Sequence, residues 1–219
     1  MTARRAPEGK KALLAEINRT LFAKYGSCPC PLRHAGPFQL LVAVELSAQC
    51  TDIRVNQITR ELFCKYPDAG SLAGAPVEAI EELIRAGGLF RNKARNIISA
   101  AKSIVENFGG EVPETMKELT TLTGVGRKSA NVILGNAFNV PGFPVDTHVK
   151  RVLKRLGITN SDAPEKIEAE VNALIGKKYW TNLSHMLILH GRETCSARKP
   201  DCPNCIINHL CEYYKSFKG

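Results

Sequence analysis

The chain has 219 residues, 44% apolar and 23% charged, an ordinary globular composition that argues against disorder. Lys and Arg number 30 against 21 Asp and Glu, a net charge of +9, which suits a polyanionic partner, nucleic acid before an anionic membrane. No apolar run approaches the ~18 residues that span a bilayer, so a cytoplasmic protein with no membrane partner is expected.

The basic start, "MTARRAPEGKK" (1–11), leads into an amphipathic helix without the apolar core of a signal peptide. The eight cysteines therefore read as thiols or metal ligands before disulfides. "GSCPCP" (26–31) is the first good break, and Cys28 and Cys30 within it read as a turn, since two ligands are too few for a metal site. "PFQLLVAVELSAQ" (37–49) is apolar almost all round and predicts a central buried helix. Cys50 and Cys64 follow in helical patterns, as buried thiols.

Ile97, Ile98, Ala101, Ile104, Val105 and Phe108 form an apolar stripe that Gly109-Gly110 stops. Pro113 can start a helix carrying Met116, Leu119 and Leu122 inward. "NVPGFP" (139–144) is the second break. Beyond it, Val149, Val152, Leu153 and Leu156 form a stripe ended by Gly157. Pro164 opens the next, with Ile167, Val171, Leu174 and Ile175 inward before Gly176. Strand-like alternation is nearly absent, so the fold class is all-α, with roughly ten helices and short connections.

"LTGVGRKSANVILGNAF" (122–138) concentrates the chemistry. "TGVG" turns the chain, Arg127 begins a helix, and Ala130, Ile133, Leu134, Ala137 and Phe138 share one face of it. Lys128, Asn131 and Gly135 lie on the other. Two helices joined by such a turn expose backbone N–H groups to an anion, and glycine lets a phosphate approach. Lys128 then reads as a solvated lysine, a phosphate contact or a nucleophile, and periodicity does not choose.

Asp146 stands just before the next apolar-periodic helix, where a carboxylate caps orphan N–H groups. Cys195, Cys202, Cys205 and Cys211 read C-x6-C-x2-C-x5-C. Four thiolates hold either zinc or a cubane iron–sulfur cluster, and the chemistry alone places zinc slightly ahead.

The hairpin stretch, followed by "VDTHVKRV" (145–152), resembles the helix-hairpin-helix and catalytic Asp segments of the endonuclease III family of DNA glycosylases. The resemblance extends through "LLVAVELSAQCTD" (40–52), "GGLFRNKARNI" (87–97) and the C-terminal cysteines, covering about residues 10–211. It implies two helical lobes. One is a six-helix barrel over 30–140 with the helix-hairpin-helix at 113–138; residues 1–29 and 141–219 form a discontinuous iron–sulfur cluster domain.

The implied function is a bifunctional DNA glycosylase and abasic-site lyase of base excision repair. It would excise oxidised pyrimidines through a lysine Schiff base and β-elimination. An amine suits this role because its adduct at C1′ becomes an imine, which oxygen nucleophiles cannot form. Lys128 is the implied nucleophile, and Asp146 the carboxylate that stabilises the cationic sugar. Cys195, Cys202, Cys205 and Cys211 are the implied ligands of a 4Fe–4S cluster, structural because glycosidic cleavage moves no net electrons.

Gly124, Val125, Gly126 and Arg127 are expected to contact DNA. Gln49 and Leu89 are expected to fill the hole left when a nucleotide is flipped out. Arg198 and Lys199, on the loop between the first two ligand cysteines, are expected to meet phosphates. The expected partner is damaged duplex DNA, met by a monomer that associates with the nucleoid. Alternatives are a related glycosylase for a pyrimidine photoproduct or mismatched base, and a non-catalytic helix-hairpin-helix clamp. The clamp needs neither Lys128 nor Asp146.

One residue departs from the family pattern. Glu45 stands where an apolar residue is usual, one helical turn before Gln49. It reads either as a carboxylate lining the flipped-base pocket or as a structural ion pair or protonated carboxyl inside the barrel.

Overall fold

The structure, a computed structural model, describes residues 7–218. The basic opening residues 1–6 lie outside the described residues. The chain divides into two compact units: Cys30–Val140, and Met1–Pro29 joined with Pro141–Gly219. Helices and turns make up both, with no strand among the described residues.

The central unit contains α2 (Pro37–Leu46), α3 (Asp52–Lys65), α4 (Ala69–Ala73), α5 (Val77–Ile84), α6 (Phe90–Phe108), α7 (Met116–Leu119) and α8 (Arg127–Ala137). Local chemistry sets their limits. Pro37 occupies the first turn of α2, where its missing N–H costs nothing. Thr51 caps α3, and Asp68 with Ser71 forms a capping box on α4. Gly109, at φ +62°, ends α6, and the Gly110 N–H closes on the Ile104 carbonyl at 3.0 Å.

The core of this unit runs from Leu32 to Leu134, with Leu40, Leu41, Ile80, Ile97 and Ile133 fully enclosed. The stripe on α6 faces inward as expected except at Val105, which is 40% exposed at its edge. Asn131 corrects the expected polar face of α8, since it is buried.

The second unit contains α1 (Pro7–Tyr25), α9 (Thr147–Arg155), α10 (Pro164–Leu174), α11 (Trp180–Glu193) and α12 (Glu212–Lys218). Leu14, Ile17 and Leu21 of α1 are fully buried among Val149, Leu153, Leu183 and Leu187. Each such burial contributes about 1.5–3 kcal/mol, enough to recruit a helix more than a hundred residues away in sequence. α9 and α11 pass closely at Gly191, where a β-carbon would lie 2.9 Å from His148 Cβ.

Two thiol expectations need correction. Cys64 is exposed because it falls off the inward stripe of α3, and Cys50 is only half-buried because it sits in the bend after α2, at the edge of the core.

Candidate functional site

The hairpin of the central unit is built from the core outward. Leu119, Leu122 and Val125 are buried, and the Val125 N–H bonds the Leu122 carbonyl at 3.1 Å. These anchors leave Gly124 and Gly126 exposed on either side of Val125. Val125 can therefore meet a ligand only through its backbone. Gly124 takes φ +86°, a conformation favouring glycine. Gly126 is the extended N-cap of α8 and supplies no side-chain cap, and a β-carbon on it would project into open space. Arg127 and Lys128 follow as the first two residues of α8, both exposed. The turn thus presents a helix N-terminus to an anion, with a lysine beside it.

α6 braces this turn from behind. Ser99 Oγ and Thr123 Oγ1 are 2.8 Å apart, and a β-carbon on Gly124 would lie 3.2 Å from Asn96 Nδ2. That β-carbon would also collide with the carboxylate of Glu45. Glu45 is only 8% exposed, so it packs beneath the hairpin. Burial pushes its pKa up to about 7, against the opposing pull of the Lys93 ammonium. The shared helix face expected for Glu45 and Gln49 does not exist, because α2 ends at Leu46.

Gln49 and Leu89 share an unusual property. Both adopt left-handed backbone, at φ +54° and +50°, which costs a non-glycine residue about 1–2 kcal/mol. Both are exposed, Leu89 by 55%. An apolar side chain held outward on a strained turn suits insertion into another surface.

In the second unit, Asp146 is the N-cap of α9, its Oδ1 accepting from the Val149 N–H at 2.8 Å. Further along α9, two arginines grip the cysteine-bearing segment. Arg151 Nε donates to the Cys195 carbonyl at 3.0 Å, and Arg155 Nη1 donates to Cys195 Sγ at 3.2 Å and the Ser196 carbonyl at 2.8 Å. Arg151 Nη2 also pairs with His148 Nδ1 at 3.1 Å.

Cys195, Cys202, Cys205 and Cys211 line one pocket with His190, Arg155 and Tyr213. Burial raises the thiol pKa values of Cys202, Cys205 and Cys211, with neighbouring thiolates adding to it, and Cys205 reaches about 11. Among the described residues no three His, Cys, Asp or Glu groups converge on one ion position. Four cysteine thiolates can hold a zinc ion or an iron–sulfur cluster. Between the first two cysteines, the Ser196 hydroxyl donates to the Lys199 carbonyl at 2.6 Å and the Asp201 N–H to the Thr194 carbonyl at 2.9 Å. This closed loop leaves Arg198 and Lys199 exposed.

Several residues here carried no readable signal. Arg155 and His190 reach the cysteines from other helices; His190 Nε2 lies 3.5 Å from Cys205 Sγ, and burial lowers its pKa to about 4. Lys93, in the first turn of α6, is buried despite its charge.

The chain matches the model of the HhH-GPD superfamily of base excision DNA repair proteins over residues 42–177. It is 51% identical over 203 residues to endonuclease III of Synechocystis sp., covering 92% of this chain and 93% of that one. It is 42% identical over 182 residues to endonuclease III of Escherichia coli, covering 83% and 86%. Among solved structures, a non-covalent endonuclease III–DNA complex superposes with a TM-score of 0.90 at 42% identity, covering 95% of this chain and 98% of that one. A trapped endonuclease III–DNA covalent intermediate gives 0.90 at 41% identity, covering 95% and 99%.

The chain therefore belongs to the endonuclease III family within the HhH-GPD superfamily. It is a DNA glycosylase of base excision repair. No described helix is long and apolar enough to cross a membrane.

Proposed function

We propose that the chain excises oxidised pyrimidines from duplex DNA and then nicks the strand, with Lys128 as nucleophile and Asp146 as the carboxylate that stabilises the cationic sugar. The observation that carries this reading is the exposed Lys128 beside the glycine turn, at the start of α8. A relative trapped as a covalent intermediate with DNA supports a covalent mechanism.

The backbone N–H groups around Gly124 and Gly126 hold a phosphate and so fix the strand relative to Lys128. The Nζ lone pair bonds to C1′ as the bond to the base breaks; the base leaves with that electron pair and gains a proton. Opening of the sugar ring converts the adduct to an imine, O4′ taking the released pair and a proton. The imine acidifies C2′, and loss of that proton expels the 3′ phosphate. Water then hydrolyses the imine and frees Lys128. Asp146 stabilises positive charge as the glycosidic bond breaks, and Gln49 and Leu89 occupy the space of the extruded nucleotide.

The residue set in the cysteine pocket fits a 4Fe–4S cluster held by Cys195, Cys202, Cys205 and Cys211. Bound there, the cluster would cross-link the segment that carries the exposed Arg198 and Lys199. Purified protein should contain about four iron and four acid-labile sulfide per chain. Stoichiometric zinc without sulfide would refute the cluster. The substrate reading is tested by a panel of duplexes, each bearing one lesion, scored for excision and nicking. Activity confined to mismatched bases or photoproducts would replace oxidised pyrimidines as the substrate.

A further inference from the structure

One buried side chain ties together the two strained turns that carry Gln49 and Leu89. Lys93 is 5% exposed, yet its Nζ donates to the Leu46 carbonyl and the Gly87 carbonyl, both at 2.9 Å. Leu46 is the last residue of α2, three residues before Gln49. Gly87 ends the short turn Arg85–Gly87, two residues before Leu89. Gly88 between them is itself left-handed, at φ +66°.

The chemistry of the bridge is specific. The last carbonyls of a helix have no partner within it, and an ammonium there also complements the negative end of the helix dipole. An apolar side chain at position 93 would leave both carbonyls without their donor. Left-handed backbone at non-glycine residues persists only where the surroundings over-determine it. Lys93 supplies one such constraint for both turns at once. The groups that face it electrostatically are Glu45, on α2, and Cys50, just after Gln49. Burial is the larger effect and lowers its pKa, and these two groups oppose it.

We infer that Lys93 is a positioning residue: it sets the relative placement of Gln49 and Leu89 so that both enter the duplex together when a nucleotide is extruded. This rests on the proposed reading of Gln49 and Leu89 as the residues that fill the hole. Lys93 itself touches neither the lesion nor the reacting atoms.

The test compares fully paired duplex with single-stranded DNA, each carrying one abasic site, because only the duplex leaves a hole to fill. Lys93→Met keeps the stem and removes both donors; Lys93→Gln retains amide donors and serves if the Met variant does not fold. Single-turnover nicking and borohydride trapping give the rates, and 2-aminopurine opposite the abasic site reports displacement of that base. Lys93→Met should lose on the order of tenfold or more on the duplex, as misplacement of remote positioning groups does, with little loss on the single strand. Its 2-aminopurine signal should fall, and Lys93→Gln should lie between the two.

In a Gln49→Ala, Leu89→Ala background, Lys93→Met should lower the duplex-to-single-strand ratio no further, since it acts through those residues. Equal loss on both substrates, or no loss on either, overturns the proposal. A full additional loss in the double-alanine background overturns it as well. The underlying reading fails separately, if the double-alanine protein alone keeps the wild-type ratio.

Discussion

The Glu45 carboxylate occupies the space where a β-carbon on Gly124 would project, joining an atypical acid of α2 to the turn before Lys128. Gly124 is thus required twice, by its φ of +86° and by that contact. Gly124→Ala should destabilise by more than the ~1–2 kcal/mol of left-handed strain alone. Adding Glu45→Ala should recover the collision part and leave the strain. Denaturant unfolding of the two single variants and the double variant measures this coupling; strict additivity would show that the two residues do not meet.

The pKa of Glu45 near 7 sets a pH dependence of stability. The folded state holds this proton more tightly than the unfolded chain, whose carboxyl titrates near 4.5. The protonated form therefore favours folding, and stability declines as pH rises from about 4.5 to about 7. Above that window the charged carboxylate costs on the order of a few kcal/mol. Glu45→Gln should be more stable than wild type at pH 8 and indistinguishable at pH 4. A constant difference across that range contradicts a buried, titrating Glu45. Because Glu45 is buried beneath the hairpin, Glu45→Leu should shift the melting temperature and leave the ranking of damaged bases unchanged.

Asp146 has a cap role that can be separated from its proposed chemistry. Asparagine caps helices as well as aspartate does, so Asp146→Asn should fold and bind DNA. Loss of the charge that stabilises the developing cation should lower turnover by ~10²-fold or more. A near-normal single-turnover rate would reduce Asp146 to the cap of α9.

The loop that presents Arg198 and Lys199 should act through phosphate charge. Arg198→Ala with Lys199→Ala should weaken binding to all sequences and reduce the salt-dependence slope by roughly one to two. An unchanged slope places the loop away from DNA.

Apolar periodicity made much of the fold legible, since the inward stripes of α8, α9 and α10 follow residues spaced three and four apart. It failed where the decisive contact comes from far along the chain. The apolar run at 37–49 does not continue as helix. Ser47 bonds back to the Val44 carbonyl at 2.7 Å, and Lys93 takes the Leu46 carbonyl from 47 residues away. No local pattern encodes that bridge. Lys128, Asp146 and the four cysteines stand out as candidates through the resemblance to the family, whereas Arg155 and His190 look like ordinary helix residues until tertiary packing brings them to the thiols. The exposure of Leu89 depends on its own left-handed backbone beside left-handed Gly88, which no apolar pattern encodes.

A covalent bond between Lys128 and DNA is what borohydride trapping detects. Wild-type protein incubated with oxidised-pyrimidine duplex and borohydride should form a denaturation-resistant protein–DNA adduct, with peptide mapping placing the sugar on Lys128. Lys128→Gln should fold, bind the same duplex and give no adduct. Undiminished trapping by Lys128→Gln, or an adduct mapped to another residue, would contradict the assignment.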